Sequence, residues 1–358
     1  MTSAPSRPSQ RALAGMIAAP LVLALLVAAW VVPLPYVVYR PGLTVDVLGT
    51  IGEEPVVEVS GRPAYDDGGE LRMTTVSVTR PDADVTLPEL LGAWASGEDA
   101  VYPWDAVYER GTTNEANREQ GAVQMASSQD VATAVALEEM GQTVPAVVRI
   151  AGVEEGLPAD GVLEEGDLVL TVAGERVTDT AAAVERIRAT PEGGSVELGI
   201  RRDGKERTVS LTPVRTEGTP RIGATVAQDY DFPVDVTINV DPDIGGPSAG
   251  LMFSLAIYDL LTPGSLTGGR PIAGTGELGP DGAVGPIGGI QQKIAGAARD
   301  GATLFLVPAA NCADALGAAH SDDLRLVRVT TMHSAVEALD TWTEDPEAAL
   351  PSCERDAS

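Results

Sequence analysis

The sequence predicts a multidomain chain whose C-terminal part is α/β (α+β), and three observations carry that expectation. They are an N-terminal run of 21 uncharged residues, a β-rich middle stretch closed by an Asp-Gly hairpin, and a C-terminal region in which strand and helix patterns alternate. At 358 residues the chain exceeds one ordinary core, taking roughly 100–200 residues per domain.

The uncharged run is Ala12 to Val32, interrupted only by Pro20. At about 1.5 Å per residue it is long enough to cross a bilayer core as one helix. Arg7 and Arg11 precede it, whereas Arg40 is followed soon by Asp46, Glu53 and Glu54. That asymmetry keeps the N-terminus in the cytoplasm and places the rest outside. A cleaved signal peptide is the competing reading, although the run exceeds a usual apolar signal core and Val27-Ala28-Ala29 is only a fair cleavage site.

Pro33, Pro35 and Pro41 make an extended exit, and a mixed region runs on to residue 143. Its strand patterns are Val56–Ser60 and Met73–Thr79, and Asp130–Met140 reads as a helix with Val131, Ala134 and Val135 on one side. No chemistry is legible there. From Val144 to Val214 the pattern is a strand at Val147–Ile150, a Gly156-Leu157-Pro158-Ala159 turn, and the run Gly166–Gly174. A helix at Thr180–Ala189 follows, then a hairpin turning at Asp203-Gly204. Gly199, Gly204 and Lys205 mimic a phosphate-binding loop, but Glu206 replaces the required hydroxyl and the setting is a hairpin, so no ATP site is expected.

Composition removes several function classes. Against 52 Asp and Glu stand 24 Lys and Arg, a formal charge of -28, which disfavours nucleic acid and anionic lipid as unaided partners and otherwise reads as a solvated acidic surface. His320, His333, Cys312 and Cys353 form no metal-ligand spacing, so neither metal nor cofactor is expected.

The informative region is Arg221–Leu339. A strand pattern at Val234–Val240 leads through Asp241-Pro242-Asp243-Ile244-Gly245-Gly246-Pro247 to Ser248-Ala249-Gly250, which opens an apolar helix ending near Leu261. Backbone N–H groups converge at such a helix start, as stabilising an oxyanion requires, although a capping serine is the commoner use of the position. A strand at Ile272–Leu278, a Pro280-Asp281-Gly282 turn and Gly288-Gly289 then introduce a second helix, Ile290–Arg299, with Lys293 in its first turn. The helix dipole and the apolar Ile287, Ile290 and Ile294 are expected to depress the amine's pKa. The alternative is an ordinary solvated lysine.

Two resemblances follow from these residues. The run Leu157-Pro158-Ala159-Asp160-Gly161 through Gly166-Asp167-Leu168-Val169-Leu170 resembles a bacterial PDZ domain over 144–214, which implies capture of an extended chain terminus by strand addition. Gly246-Pro247-Ser248-Ala249-Gly250, Thr275-Gly276-Glu277, Pro286–Lys293, Gly301 and Leu306-Val307-Pro308 resemble, in order and spacing, the proteolytic domain of the Lon (endopeptidase La) family over 219–342. The resemblance implies Ser248 as nucleophile, Lys293 as general base and Thr275 as the hydroxyl orienting it, supported by Gly246, Pro247 and Ala249. Gln291-Gln292 stand before Lys293 where that family usually has Lys-Glu, and no ATPase domain accompanies the motifs.

The expected organisation is a cytoplasmic N-terminus at 1–11, a membrane helix at 12–32, the mixed region at 33–143, the PDZ and Lon-type domains, and a tail at 343–358. The expected function is ATP-independent peptide-bond hydrolysis in the cell envelope on protein or peptide substrates gathered by the PDZ domain. A homo-oligomer is compatible. A silent envelope scaffold is the alternative, as are a Ser248 triad with His320 or His333 and, for the cysteines, a Cys312–Cys353 disulfide outside the cytoplasm.

Overall fold

The computed structural model describes residues 10–65, 67–216 and 218–353; Arg7, the other residues before Gln10, and the end of the tail at 354–358 lie outside the described residues. Helix α1, Gln10–Val31, contains an 18-residue stretch, Ala14–Val31, long and apolar enough to cross a membrane, and none of that stretch is buried by the protein. Strands β1 (Tyr36–Asp46) and β2 (Glu70–Val78), helix α2 (Leu87–Ser96), strand β3 (Ala100–Pro103) and the 26-residue helix α3 (Asn114–Glu139) follow.

Next come β4 (Ala146–Val153), β5 (Leu168–Val172), α4 (Thr180–Arg188), β6 (Val196–Arg202), β7 (Lys205–Leu211) and β8 (Ala224–Tyr230). They form an antiparallel sheet of order β7-β6-β5-β4-β8, with the hairpin between β6 and β7 turning at Asp203-Gly204, where both residues have positive φ. The sheet takes in β8 beyond Val214: Ala146 pairs with Tyr230, and Asp231 N donates to Pro145 O at 3.0 Å, so the unit's chain ends leave side by side. Val148, Ile150, Leu198 and Ile200 fill its core against Ala183 and Ile187 of α4.

The C-terminal part contains α5 (Gly250–Leu261), β9 (Pro271–Gly274), α6 (Ile290–Arg299), β10 (Leu304–Pro308), β11 (Arg325–Val329) and α7 (Met332–Glu344). Its sheet has the order β11-β10-β9-β2-β1-β3. Strands β9, β10 and β11 are parallel, and β9 also runs parallel to β2, while β1 pairs antiparallel with β2 and β3. The stretch 33–143 thus contributes half of this sheet and α3.

The sheet is covered on both faces, as parallel strands require. Alternation along β10 makes the division visible: Leu304 and Leu306 face a core with α3, α5 and α7, and Phe305 and Val307 face one with Ile290, Ile294 and Ala297 of α6. Cys312 and Cys353 are joined as a disulfide across 41 residues.

Candidate active site

The loop before Ser248 takes its shape from α3. Gly246 has φ +97°, a left-handed conformation costly for side-chain-bearing residues, and its N–H donates to Gly121 O at 3.0 Å. A Cβ on Gly245 would lie 2.9 Å from the Gly121 Cα, so only glycine allows this approach. About two turns further along the same face, buried Ser128 donates from Oγ to Pro247 O at 3.1 Å. Neither Gly121 nor Ser128 stood out in the sequence.

Helix α5 begins at Gly250, with Ala249 at its N-cap. Ser248 therefore precedes the cap instead of opening the helix, a difference within ordinary boundary scatter. Its carbonyl accepts from Gly276 N at 2.9 Å and from Thr275 Oγ1 at 3.0 Å. The expected strand Ile272–Leu278 breaks here for that reason: β9 ends at Gly274, Thr275 and Gly276 turn to the serine, and a two-residue strand resumes at Glu277.

Lys293 reaches the same point from α6. The helix is capped by Gly289 at φ +69°, where a Cβ would meet Val76 Cγ2 at 2.7 Å. Lys293 Nζ lies 2.9 Å from Ser248 Oγ and 2.9 Å from Thr275 Oγ1. The lysine is almost wholly buried, and that burial pushes its pKa down to about 7. The cause is desolvation by burial, one of the two contributions the sequence suggests. The structure thus brings together Ser248, Thr275 and Lys293, with Gly246, Pro247 and Ala249 shaping the loop.

The histidines sit elsewhere in hydrogen-bonding terms. His320 pairs with Asp323 at 2.8 Å and Glu98 at 3.2 Å, and His333 with Glu139 at 2.7 Å and Glu337 at 3.4 Å. Both are exposed, and these carboxylates raise both imidazole pKa values, chiefly through the hydrogen bonds to Asp323 and Glu139. The Ser248 hydroxyl has Lys293 beside it.

Ser248 and Lys293 open onto a cleft of about 1170 Å³. Thr75 and Val76 of β2, Tyr108, and Asn117 and Gln124 of α3 form its other walls. Its volume, above the usual range for a small-molecule pocket, and its mixed polar and apolar lining suit a peptide chain better than a compact small molecule.

Residues 220–340 match the Lon protease (S16) C-terminal proteolytic domain, and residues 121–212 match a PDZ domain. Lon protease 1 of Herpetosiphon aurantiacus is 39% identical over 106 residues, which are 29% of this chain and 13% of that protein. The Lon protease of Phenylobacterium zucineum is 29% identical over 163 residues, 43% of this chain and 20% of that protein. The chain thus covers at most 20% of the length of these two relatives. The crystal structure of the PDZ domain of an SdrC-like protein from Listeria monocytogenes is 27% identical, covering 22% of this chain and 85% of that one, at a TM-score of 0.21. This mixed α/β chain, headed by an apolar helix, joins a PDZ domain to a proteolytic domain of the Lon (S16) family.

Proposed function

We propose that the chain is a membrane-anchored, ATP-independent serine endopeptidase acting outside the cytoplasm, with Ser248 as nucleophile and Lys293 as general base. The observation that carries this reading is the buried Lys293 amine, 2.9 Å from the Ser248 hydroxyl and with its pKa lowered to about 7. A neutral amine accepts a proton, and burial makes that form accessible near neutrality.

Thr275 supplies the orientation. Its hydroxyl hydrogen points to Ser248 O, so it can only accept from Lys293, and the amine's lone pair is left toward Ser248. In the first step Lys293 takes the Ser248 hydroxyl proton as Oγ attacks the substrate carbonyl carbon. The backbone N–H groups of Ser248 and Ala249, just before α5, are the donors proposed for the resulting oxyanion. The lysinium then gives its proton to the departing amine, leaving an ester on Ser248. Water repeats the sequence with Lys293 again as base, releasing the carboxylic acid and restoring the serine.

Helix α1 serves as the anchor, with Arg7 and Arg11 on the cytoplasmic side, and the Cys312–Cys353 disulfide suits an oxidising compartment. One experiment tests nucleophile and orientation together. A membrane-impermeant fluorophosphonate applied to intact spheroplasts should label the wild type but not Ser248→Ala. Labelling only after lysis would overturn the orientation, and equal labelling of both proteins would overturn the nucleophile.

The PDZ unit recruits substrate termini. Because Pro145 and Asp231 are hydrogen-bonded neighbours, residues 146–230 can be replaced by a short Gly-Ser link without separating the flanking elements. Hydrolysis of a short unstructured peptide should then persist within about threefold, while cleavage of a long unfolded chain offered with its own C-terminus falls about tenfold. Equal losses on both substrates would sink the recruitment role.

A further inference from the structure

Helix α2 has two apolar faces, and the protein uses only one. Leu90 and Ala93 turn inward, where Ala93 joins Val38 and Val85 in a small core with Val101 alongside. Leu87, Leu91 and Trp94, at helical positions i, i+4 and i+7, turn outward and are 40%, 55% and 82% exposed. The inner packing holds the helix in place, so its outer face is presented on a fixed element.

The chain pins that face beside the end of α1. Three residues after Val31, Leu34 N donates to Val85 O at 2.8 Å, and Val85 lies two residues before Leu87. Pro35 O accepts from Trp104 N at 2.9 Å, which fixes the exit a second time, and α1 contacts α2 directly. The headgroup layer outside the hydrocarbon core is about 5–8 Å thick on each side. A helix starting one β-bridge from the end of a membrane span therefore lies within or against that layer.

We propose that the Leu87, Leu91 and Trp94 face of α2 is a second membrane contact, lying in the interfacial layer of the bilayer that α1 crosses, with a lipid surface as its ligand. This rests on the reading of α1 as an anchor. The composition of the face fits: indoles favour the interface, and Trp30 at the end of α1, 68% exposed, would form the same aromatic belt as Trp94. The one carboxylate within α2, Glu89, is paired with Arg40 at 2.6 Å and so does not oppose docking as an isolated charge. With a chain charge of -28, apolar area and not attraction to anionic headgroups must drive the contact. Neutral lipid therefore suffices, and salt has little effect. Docking would hold the catalytic domain at a fixed height and tilt, in place of leaving it on a loose tether.

The test uses the full chain in phosphatidylcholine vesicles whose acyl chains are brominated near the headgroup. Tryptophan quenching is compared for wild type, Trp30→Phe and Trp94→Phe, with circular dichroism confirming the fold of each. Lipid-dependent quenching should fall by about a third to a half in Trp94→Phe, position 94 being one of three indoles near lipid depth, with Trp30 and the half-buried Trp104 held at Pro35. The fall should be the same at low and high salt. Loss of quenching in Trp30→Phe with none in Trp94→Phe would overturn the docking of α2 and leave the anchor standing. No change in Trp30→Phe would overturn the anchor, and the proposal with it. Unquenched Trp94 together with self-association in the vesicles that Leu91→Asp abolishes would assign the face to a second copy of the chain instead.

Discussion

Lys293→Arg should abolish peptide hydrolysis as completely as Ser248→Ala, by about 10⁴-fold or more, and the double variant should lose no more than either single one. The reason is chemical and steric at once. Arginine stays protonated throughout the working range and cannot accept the Ser248 proton, and its planar head does not fit between two hydroxyls 2.9 Å from one amine. In the proposed mechanism the protonated amine is the inactive form. Activity should thus rise with pH through the lysine's pKa of about 7 and level off above it. His320→Ala and His333→Ala should keep substantial activity, since both rings are occupied by surface carboxylates. The measurement is the pH profile of hydrolysis of one unstructured peptide by the wild type and these variants. A Lys293→Arg protein keeping most of its rate would remove lysine from the mechanism, and an inactive, folded histidine variant would put a triad in its place.

Much of this site is legible in the chain because its signals are local. The Gly-Gly before Ile290 and the Gly301 after it delimit α6 to the residues Ile290–Arg299 that it occupies, and Asp203-Gly204 fixes a hairpin whose pairing depends only on its turn. What escapes is decided across the fold. Only Asp130–Met140 carries an apolar stripe, whereas α3 begins at Asn114; its first half is mostly polar because much of it walls a cleft, although Met125 reaches the core. Gly121 and Ser128 matter through Gly246 and Pro247, more than a hundred residues away, and no periodicity records such a bond. The same holds for β1, β2 and β3. Their short patterns read as an isolated mixed region, but Gly274 and Met73 are paired, so the strand leading to Thr275 needs this segment as a neighbour. The sequence suggests the direction of the lysine's shift, with a helix dipole and apolar surroundings as its two causes, and burial is the one that acts. Sequence places Lys293 at a helix start, while only packing reveals that the amine is almost wholly out of water.

That burial has a price in stability, and Lys293→Met should remove it. The amine has a pKa of about 7 in the folded chain against 10.5 as the ordinary value. Between those values the unfolded chain binds a proton that the folded chain lacks, so stability rises with pH from about 7 to about 10.5. Below pH 7 both states are protonated and the full penalty applies, on the order of 3–5 kcal/mol at ~1.4 kcal/mol per unit. Methionine has nearly the same length and shape, carries no charge and fills the same space. Its cost is the loss of hydrogen bonds to Ser248 and Thr275, about 0.5–1.5 kcal/mol each, moderated because Thr275 still has Ser248 O to bond. The balance predicts that the inactive Lys293→Met protein is more stable than the wild type at pH 6 by about 2 kcal/mol, raising the catalytic domain's melting temperature by several degrees. The gain should shrink as pH climbs and vanish or reverse near pH 10. Ser248→Ala, equally inactive but retaining the buried amine, should show no such gain, which separates relief of a buried charge from any general effect of silencing the site. Calorimetric unfolding of the three proteins across this pH range is the measurement. A Lys293→Met transition below that of the wild type at pH 6 would mean that the amine is stabilised in its charged form, and Lys293 could not then be the neutral base.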